Sequence, residues 1–247
     1  MKRLSKKLLL IGVHACQEGL HEGEEIDRIL IRKGLNSDSA KSLIRSAKEK
    51  SVPVQFVPKE KLDRLTNLNH QGVLGLRSPI SYADINEIVT AAYERAELPF
   101  LLVLDHITDV RNLGAMARTA ECMGVHAIVI PDRGVAAIND VAIKVSSGAL
   151  TRIPVCRVSS LARTIEDLKG QGITTIGATE KASVRLRTME VEGPRAIVMG
   201  NEEKGLSRDV MARCDHLVKI DMGGDIGSLN VSVAAGMFLF ALSESTD

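Results

Sequence analysis

The chain has 247 residues, 45% of them hydrophobic and 26% charged, with a net charge of +1. That length suits two domains, that composition suits a packed core under an ordinary polar surface, and no apolar run reaches the ~20 residues a membrane-spanning helix needs. The cysteines (Cys16, Cys122, Cys156, Cys214) lie far apart with no CxxC pair, which argues against a zinc site and suits thiols in a reducing cytoplasm.

The basic start leads into Leu8–Val13, an apolar run too short for a signal sequence and read as a first strand. Ala15–Gly19 opens a helix. Ile26–Ile31 reads as a second strand, with Ile26, Arg28 and Leu30 in alternation. Ser39–Lys50 is amphipathic, with Leu43, Ile44 and Ala47 at helical spacing and Asp38 as the expected cap. Pro53–Val57 is a short strand, Pro58–Leu65 a short helix and Gly72–Leu76 another strand. Residues 1–77 thus form a small α/β sandwich. Residues 1–80 carry 15 Lys and Arg against 9 Asp and Glu, whereas 81–247 carry 17 against 22. A basic front half implies a polyanionic partner for that half. Aromatic residues make up only 2% of the chain, too few for a base-stacking platform, so any RNA would be held through phosphates and shape.

Arg77–Ser81, with Ser78-Pro79, reads as a linker and Asp84–Glu94 as a helix, so 78–98 is taken as linker and first helix. From residue 99 the texture changes. Apolar strands recur at Phe100–Leu104, Ala127–Ile130, Ile173–Ile176, Ala196–Met199 and His216–Ile220, with helical patterns between. Near-continuous apolar strands separated by helices predict a parallel sheet covered on both faces.

Ligands of open parallel sheets sit beyond the carboxyl ends of the strands. Three polar, glycine-bearing segments fall there: 105–119 after the first of these strands, Gly200–Ser207 after Ala196–Met199, and Asp221–Gly236 after His216–Ile220. GxxxxGK[ST] and GxGxxG are both absent, which excludes a P-loop and argues against an ordinary dinucleotide site. The glycines at 200, 205, 223, 224 and 227 instead allow close backbone approach to a flat ligand.

The strongest elements are Asn112-Leu113-Gly114-Ala115 with Arg118-Thr119, Gly200-Asn201-Glu202, and Ser228-Leu229-Asn230-Val231-Ser232-Val233-Ala234. Together they resemble the three motifs of the SpoU (TrmH-like) methyltransferases of the SPOUT superfamily, over residues 99–242. Gly12-Val13-His14-Ala15 and His70-Gln71-Gly72-Val73 resemble the RlmB-type subgroup, which methylates a guanosine ribose in large-subunit (23S) rRNA. The resemblance implies an L30e/L7Ae-like RNA-binding domain at 1–77 and a SAM-binding methyltransferase domain at 99–247. It further implies a deep trefoil knot through which the last helix (Ser228–Leu242) passes, and a cytoplasmic homodimer whose active sites borrow from the partner. S-adenosyl-L-methionine would contact Thr179, Glu180, Gly200, Ile220, Met222, Leu229 and Asn230, without a metal.

The reaction implied is an SN2 attack of a ribose 2′-oxygen on a sulfonium methyl, favoured by in-line positioning and by stabilising the growing negative charge. Arg118 is assigned the second task. A guanidinium with a pKa above about 12 is a poor base, so the proton is expected to leave to phosphate or water. Asn112 is expected to hold the ribose or, more simply, to cap a helix Leu113–Met123. Glu202 is expected to accept backbone N–H groups of the 221–236 segment or to orient Arg118, while Glu203 is a surface carboxylate. Ser228 and Asn230 are active-site polar groups at the start of the last helix. His106 is a fallback base; His126 and His216 are structural; Met116, Met123, Met199 and Met237 fill the core. Two alternatives stand beside rRNA methylation: a tRNA ribose methyltransferase of the same fold, and a non-catalytic RNA-binding or ribosome-assembly protein.

Overall fold

The structure, a computed structural model, describes residues 8–243. The chain divides into two compact units between Ser81 and Tyr82.

The first unit runs β1 (Leu9–Ile11), α1 (Val13–Glu22), β2 (Ile26–Arg32), α2 (Asp38–Glu49), β3 (Val54–Val57), α3 (Lys59–Leu65) and β4 (Val73–Arg77). Its sheet has the order β1-β4-β2-β3, parallel only at β2/β3. Strand β2 is covered on both faces. Ile29 and Ile31 pack with Val13, Cys16 and Leu20 of α1 and Leu43 and Ala47 of α2, whereas Leu30 faces Leu62 and Leu65 of α3. The alternation of Ile26, Arg28 and Leu30 therefore does not describe a half-buried strand. The register shifts between Ile26 and Arg28, and Ile26 joins Ile29 and Ile31 in one core. An irregularity of one residue is enough to change faces. Ser37, not Asp38, caps α2: its Oγ accepts the Ala40 N–H at 3.2 Å. Asp38 is the first helical residue, where its charge suits the helix N-terminus.

The second unit runs β5 (Tyr82–Ala83), α4 (Ile85–Glu94), β6 (Phe100–Leu104), α5 (Val110–Cys122), β7 (Ala127–Pro131), α6 (Asp140–Val145), β8 (Val155–Val158), α7 (Leu161–Gly170), β9 (Thr174–Ala178), β10 (Val184–Arg185), β11 (Arg195–Met199), α8 (Arg208–Met211), β12 (His216–Lys219) and α9 (Val231–Leu242). The sheet order is β10-β12-β9-β11-β6-β7-β8-β5, and every pairing is parallel. Strands β6, β7 and β11 are buried throughout, which is why Phe100–Leu104, Ala127–Ile130 and Ala196–Met199 read as unbroken apolar runs. Leu101, Val103, Val129 and Val198 pack with Val89 of α4, Leu161, Ile165 and Leu168 of α7 and Val210 of α8. Away from that cluster, α9 packs on α5 and β11. Residues 82–94 belong to this unit structurally. Tyr82 and Ala83 pair with β8, and the Arg157 guanidinium lies 4.0 Å from the Tyr82 ring centre.

Four neighbouring strands position the site. Because β12, β9, β11 and β6 are parallel, their carboxyl ends share one rim, from which segments 220–230, 179–182, 200–207 and 105–109 emerge. From β6 the chain moves outward through β7 and β8, then crosses to β9 and returns as β11 against the other side of β6. Such a reversal opens a crevice between the loops of β11 and β6.

Candidate active site

Strands β11 and β6 end in register, Met199 beside Leu104. Asp105 follows at once, its N–H donating to the Met199 carbonyl at 2.8 Å. Its carboxylate is 1% exposed, and Oδ2 accepts the Ser207 N–H at 2.6 Å. A buried acid thus pins the far end of the 200–207 loop to the start of the 105–109 loop. Gly200 lets that loop fold back on itself, since a Cβ there would lie 2.3 Å from the Gly205 carbonyl carbon. Asn201 locks the fold: Oδ1 accepts from the Glu203 and Lys204 N–H groups (2.9 and 3.2 Å), and Nδ2 donates to the His106 carbonyl (3.0 Å).

Glu202 is then presented to the other two segments. Asn112 Nδ2 donates to Glu202 Oε1 at 2.7 Å and Asn230 Nδ2 at 2.8 Å; Asn230 Nδ2 also lies 3.1 Å from Asn112 Oδ1. The Val231 N–H reaches the same Oε1 at 3.4 Å. Residues separated by 90 and 118 positions in sequence therefore form one cluster. Glu202 does receive a backbone N–H at the start of α9, as expected. Among the described residues its Oε2 has no partner. A carboxylate between the first turns of α5 and α9 is favoured by both helix dipoles.

Both helix starts differ from expectation. Helix α5 begins at Val110 and is capped by Asp109, whose Oδ1 accepts the Arg111 N–H at 2.6 Å. Asn112 is therefore free of capping and available to the cluster. Helix α9 begins at Val231 rather than Ser228, and its cap is Asn230, whose Oδ1 accepts the Ser232 N–H at 2.9 Å. One amide thus caps a helix with its oxygen and serves the cluster with its nitrogen. Ser228 lies upstream, exposed, and lines a cavity.

That cavity has a volume of about 460 Å³ and runs along the ends of β12, β9 and β11. Thr179, Glu180, Gly200, Ile220, Met222 and Leu229 all line it, as does Glu202; Asn230 does not. Its wall mixes loop backbone with the apolar groups Met199, Val231 and Phe238. The size falls in the small-molecule range.

Arg118 stands apart. Six residues along a helix is about 9 Å of rise and about 120° from the direction of Asn112. Arg118 is exposed, and among the described residues its guanidinium has no hydrogen-bond or ion-pair partner, so it does not orient or contact Glu202 within one chain. Met237 also departs from expectation. Met116 and Met199 are buried, but Met237 is 41% exposed, in line with Val233 and Phe240 on the outer face of α9.

His126 is structural: Nδ1 accepts the Phe100 N–H at 3.1 Å and Nε2 meets Glu97 at 3.2 Å. His216 is exposed at the start of β12. Burial pushes the thiols of Cys16, Cys156 and Cys214 up to about 12, which leaves them inert as nucleophiles. Among the described residues no group of His, Cys, Asp and Glu is arranged to hold a metal. Sequence reasoning gave no role to Asp105 or Asn201. The signal for Asp105 was an apolar strand ending abruptly in an acid; that for Asn201 was its place between two glycines that make a tight turn.

The SpoU rRNA methylase family model matches residues 99–240, and the model for RNA 2′-O ribose methyltransferase substrate binding matches residues 9–83. A Staphylococcus haemolyticus protein named for the TrmH family of tRNA/rRNA methyltransferases is 38% identical over 233 residues, covering 94% of each chain. A Bacillus subtilis protein of the same family name is 38% identical over 231 residues, covering 94% of this chain and 93% of its own. Among solved structures, the SpoU methyltransferase AviRb from Streptomyces viridochromogenes, in complex with AdoMet, superposes with a TM-score of 0.58 at 22% identity, over 94% of this chain and 88% of its own. An AdoMet-bound rRNA methyltransferase from Sinorhizobium meliloti gives 0.57 at 21%, over 95% and 85%. At such identities these two likenesses show a shared fold.

Proposed function

The chain belongs to the SpoU methylase family of RNA 2′-O-ribose methyltransferases, and we propose that it uses S-adenosyl-L-methionine to methylate a guanosine ribose in large-subunit (23S) rRNA, as a cytoplasmic homodimer. One observation carries the reading: Asn112, Glu202 and Asn230 meet beside a small-molecule cavity whose wall includes Glu202.

The cavity fits the methyl donor chemically. Loop backbone around Thr179, Gly200 and Leu229 suits the edge of an adenine, apolar groups such as Ile220 and Met222 suit its faces, and Glu180 suits an ammonium group. When bound, S-adenosyl-L-methionine supplies a methyl group made electrophilic by its sulfonium. Asn112 and Asn230 hold the ribose edge, and Glu202 holds them. Arg118 stabilises the charge that grows on the 2′-oxygen, a contribution of about 3–4 kcal/mol for one well-placed donor. Because Arg118 is directed away from its own chain's cluster, it serves the partner's site. The exposed apolar line of Val233, Met237 and Phe240 supports α9 as part of the dimer contact. The first unit grips the RNA, in keeping with its basic balance. On this reading α9 threads the knot of the SPOUT superfamily.

The test is methyl transfer from labelled donor to separated RNA classes taken from cells lacking the protein. Label at one guanosine ribose of large-subunit rRNA is expected. Label confined to tRNA would replace the substrate assignment, and no transfer to either would refute the reading.

A further inference from the structure

His106 is held in a manner that its place in the fold does not require. Its φ is +59°, a left-handed conformation that costs a non-glycine residue energy and that persists where the surroundings enforce it. The enforcement is visible. Its carbonyl accepts from Asn201, and its ring Nδ1 is hydrogen-bonded to Asp105 Oδ1. The other oxygen of Asp105 is occupied by the Ser207 N–H. On the far side the ring lies against Gly134, where any Cβ would fall 2.5 Å from Cδ2. With Nδ1–H donating to Asp105 Oδ1, the tautomer that this contact favours leaves Nε2 as an acceptor held in a fixed direction. Yet the side chain is 55% exposed. A strained, doubly braced imidazole facing solvent is preorganised for a ligand.

Its location indicates which ligand. The cavity runs along the ends of β12, β9 and β11, and the Asn112–Glu202–Asn230 cluster lies where the loop of β11 meets α5. The ends of β6 and β7, with His106 and Gly134, form the continuation of the same rim away from the cavity. A nucleotide brought to the cluster from outside has that stretch of rim to lie on. Arg133, beside Gly134, is exposed there.

We propose that His106 is a further substrate-binding residue, whose Nε2 accepts a hydrogen bond from an N–H or O–H donor of the RNA nucleotide entering the site. The inference rests on the methyltransferase reading above. It assigns recognition, not proton abstraction, to His106.

The test uses the full chain and His106→Asn. Asparagine tolerates the left-handed conformation, and its amide N–H can replace Nδ1–H toward Asp105, so the bond to Asp105 is kept while the outer edge of the ring with Nε2 is removed. The expected result is an unchanged Tm, unchanged thermal stabilisation by S-adenosyl-L-methionine, and a KM for rRNA raised about fivefold to tenfold with kcat nearly unchanged, the loss of one hydrogen bond. Replacing guanosine by inosine in a short RNA bearing the site separates the donors. If the base amine is the partner, the variant and wild type converge on the inosine RNA; if the base N1–H or a ribose hydroxyl is, the difference persists. An unchanged KM would overturn the proposal. So would a salt dependence of RNA affinity that falls by about one charge in the variant, because that marks a phosphate contact by a cationic ring. If wild-type chain transfers no methyl group, the methyltransferase reading fails separately, and filter-binding affinity for the same RNA carries the comparison of wild type with variant.

Discussion

The two ends of the second unit's sheet are built from similar residue types to opposite effect. At the amino ends of the strands, polar side chains are matched to partners. Arg195, 3% exposed, donates to the carbonyls of Leu242 and Gly193 and lies 4.9 Å from the Phe100 ring centre, tying the last turn of α9 to β11. Asp215 joins β12 to β9 through the Thr175 N–H (2.9 Å), the Thr175 hydroxyl (2.7 Å) and the Lys169 ammonium (2.9 Å). At the carboxyl ends Asp105 and Asn201 are matched and hold the loops, but among the described residues Glu202 keeps a free oxygen, His106 a free nitrogen, and Arg118 has no partner. One end uses its hydrogen bonds to hold the chain together; the other also keeps some available for ligands.

The contrast can be broken most strongly at Glu202. Glu202→Ala is expected to lower kcat/KM about a hundredfold or more while the Tm stays close to wild type, because the side chain is exposed and the cluster it holds acts on substrate. A large fall in Tm instead would move Glu202 to the structural side. Arg195→Met is expected to do the reverse. The buried Leu242 carbonyl and the half-buried Gly193 carbonyl lose their donor, destabilising the unit by about 2 kcal/mol, while the folded fraction keeps its turnover. Denaturant titration and activity per folded molecule measure both. Asp215→Asn sharpens the comparison least, at about 1 kcal/mol. Burial would raise the Asp215 carboxyl, but the Lys169 ammonium and the Thr175 donors outweigh it and hold the group below its ordinary range. The sign follows from linkage. A depressed carboxylate contributes stability above its unfolded pKa of about 4, and that contribution is lost as pH falls through its folded value. The gap between wild type and Asp215→Asn should therefore be full at neutral pH and shrink below about pH 4.

These two ends were not equally legible from sequence. Strands β6, β7 and β11 announced themselves as apolar runs of four or five residues because both their faces are covered. Strands β5 and β10 are two residues long and could not show a period, and β8 carries Arg157, whose partner is the ring of Tyr82 far upstream. The polar cluster joins residues about a hundred positions apart, so spacing says nothing of it; only the combined motif resemblance pointed to Asn112, Glu202 and Asn230 together. Cap assignments failed where two capping residues are adjacent, as at Ser37-Asp38, or where a first turn offers both Asp109 and Asn112. Helical geometry alone, applied to the six-residue interval from Asn112 to Arg118, would have set them on different faces of α5, the separation on which the proposal of a site shared between two chains rests.

That last point admits a direct measurement. Arg118→Ala and Glu202→Ala chains, each inactive alone, are unfolded together and refolded as mixed dimers. Half of the dimers then pair the two variants, and one of their two sites has both intact residues. The expected result is recovery of about a quarter of wild-type activity. Mixtures that stay as inactive as either variant alone would contradict a site built from the cluster of one chain and the arginine of the other.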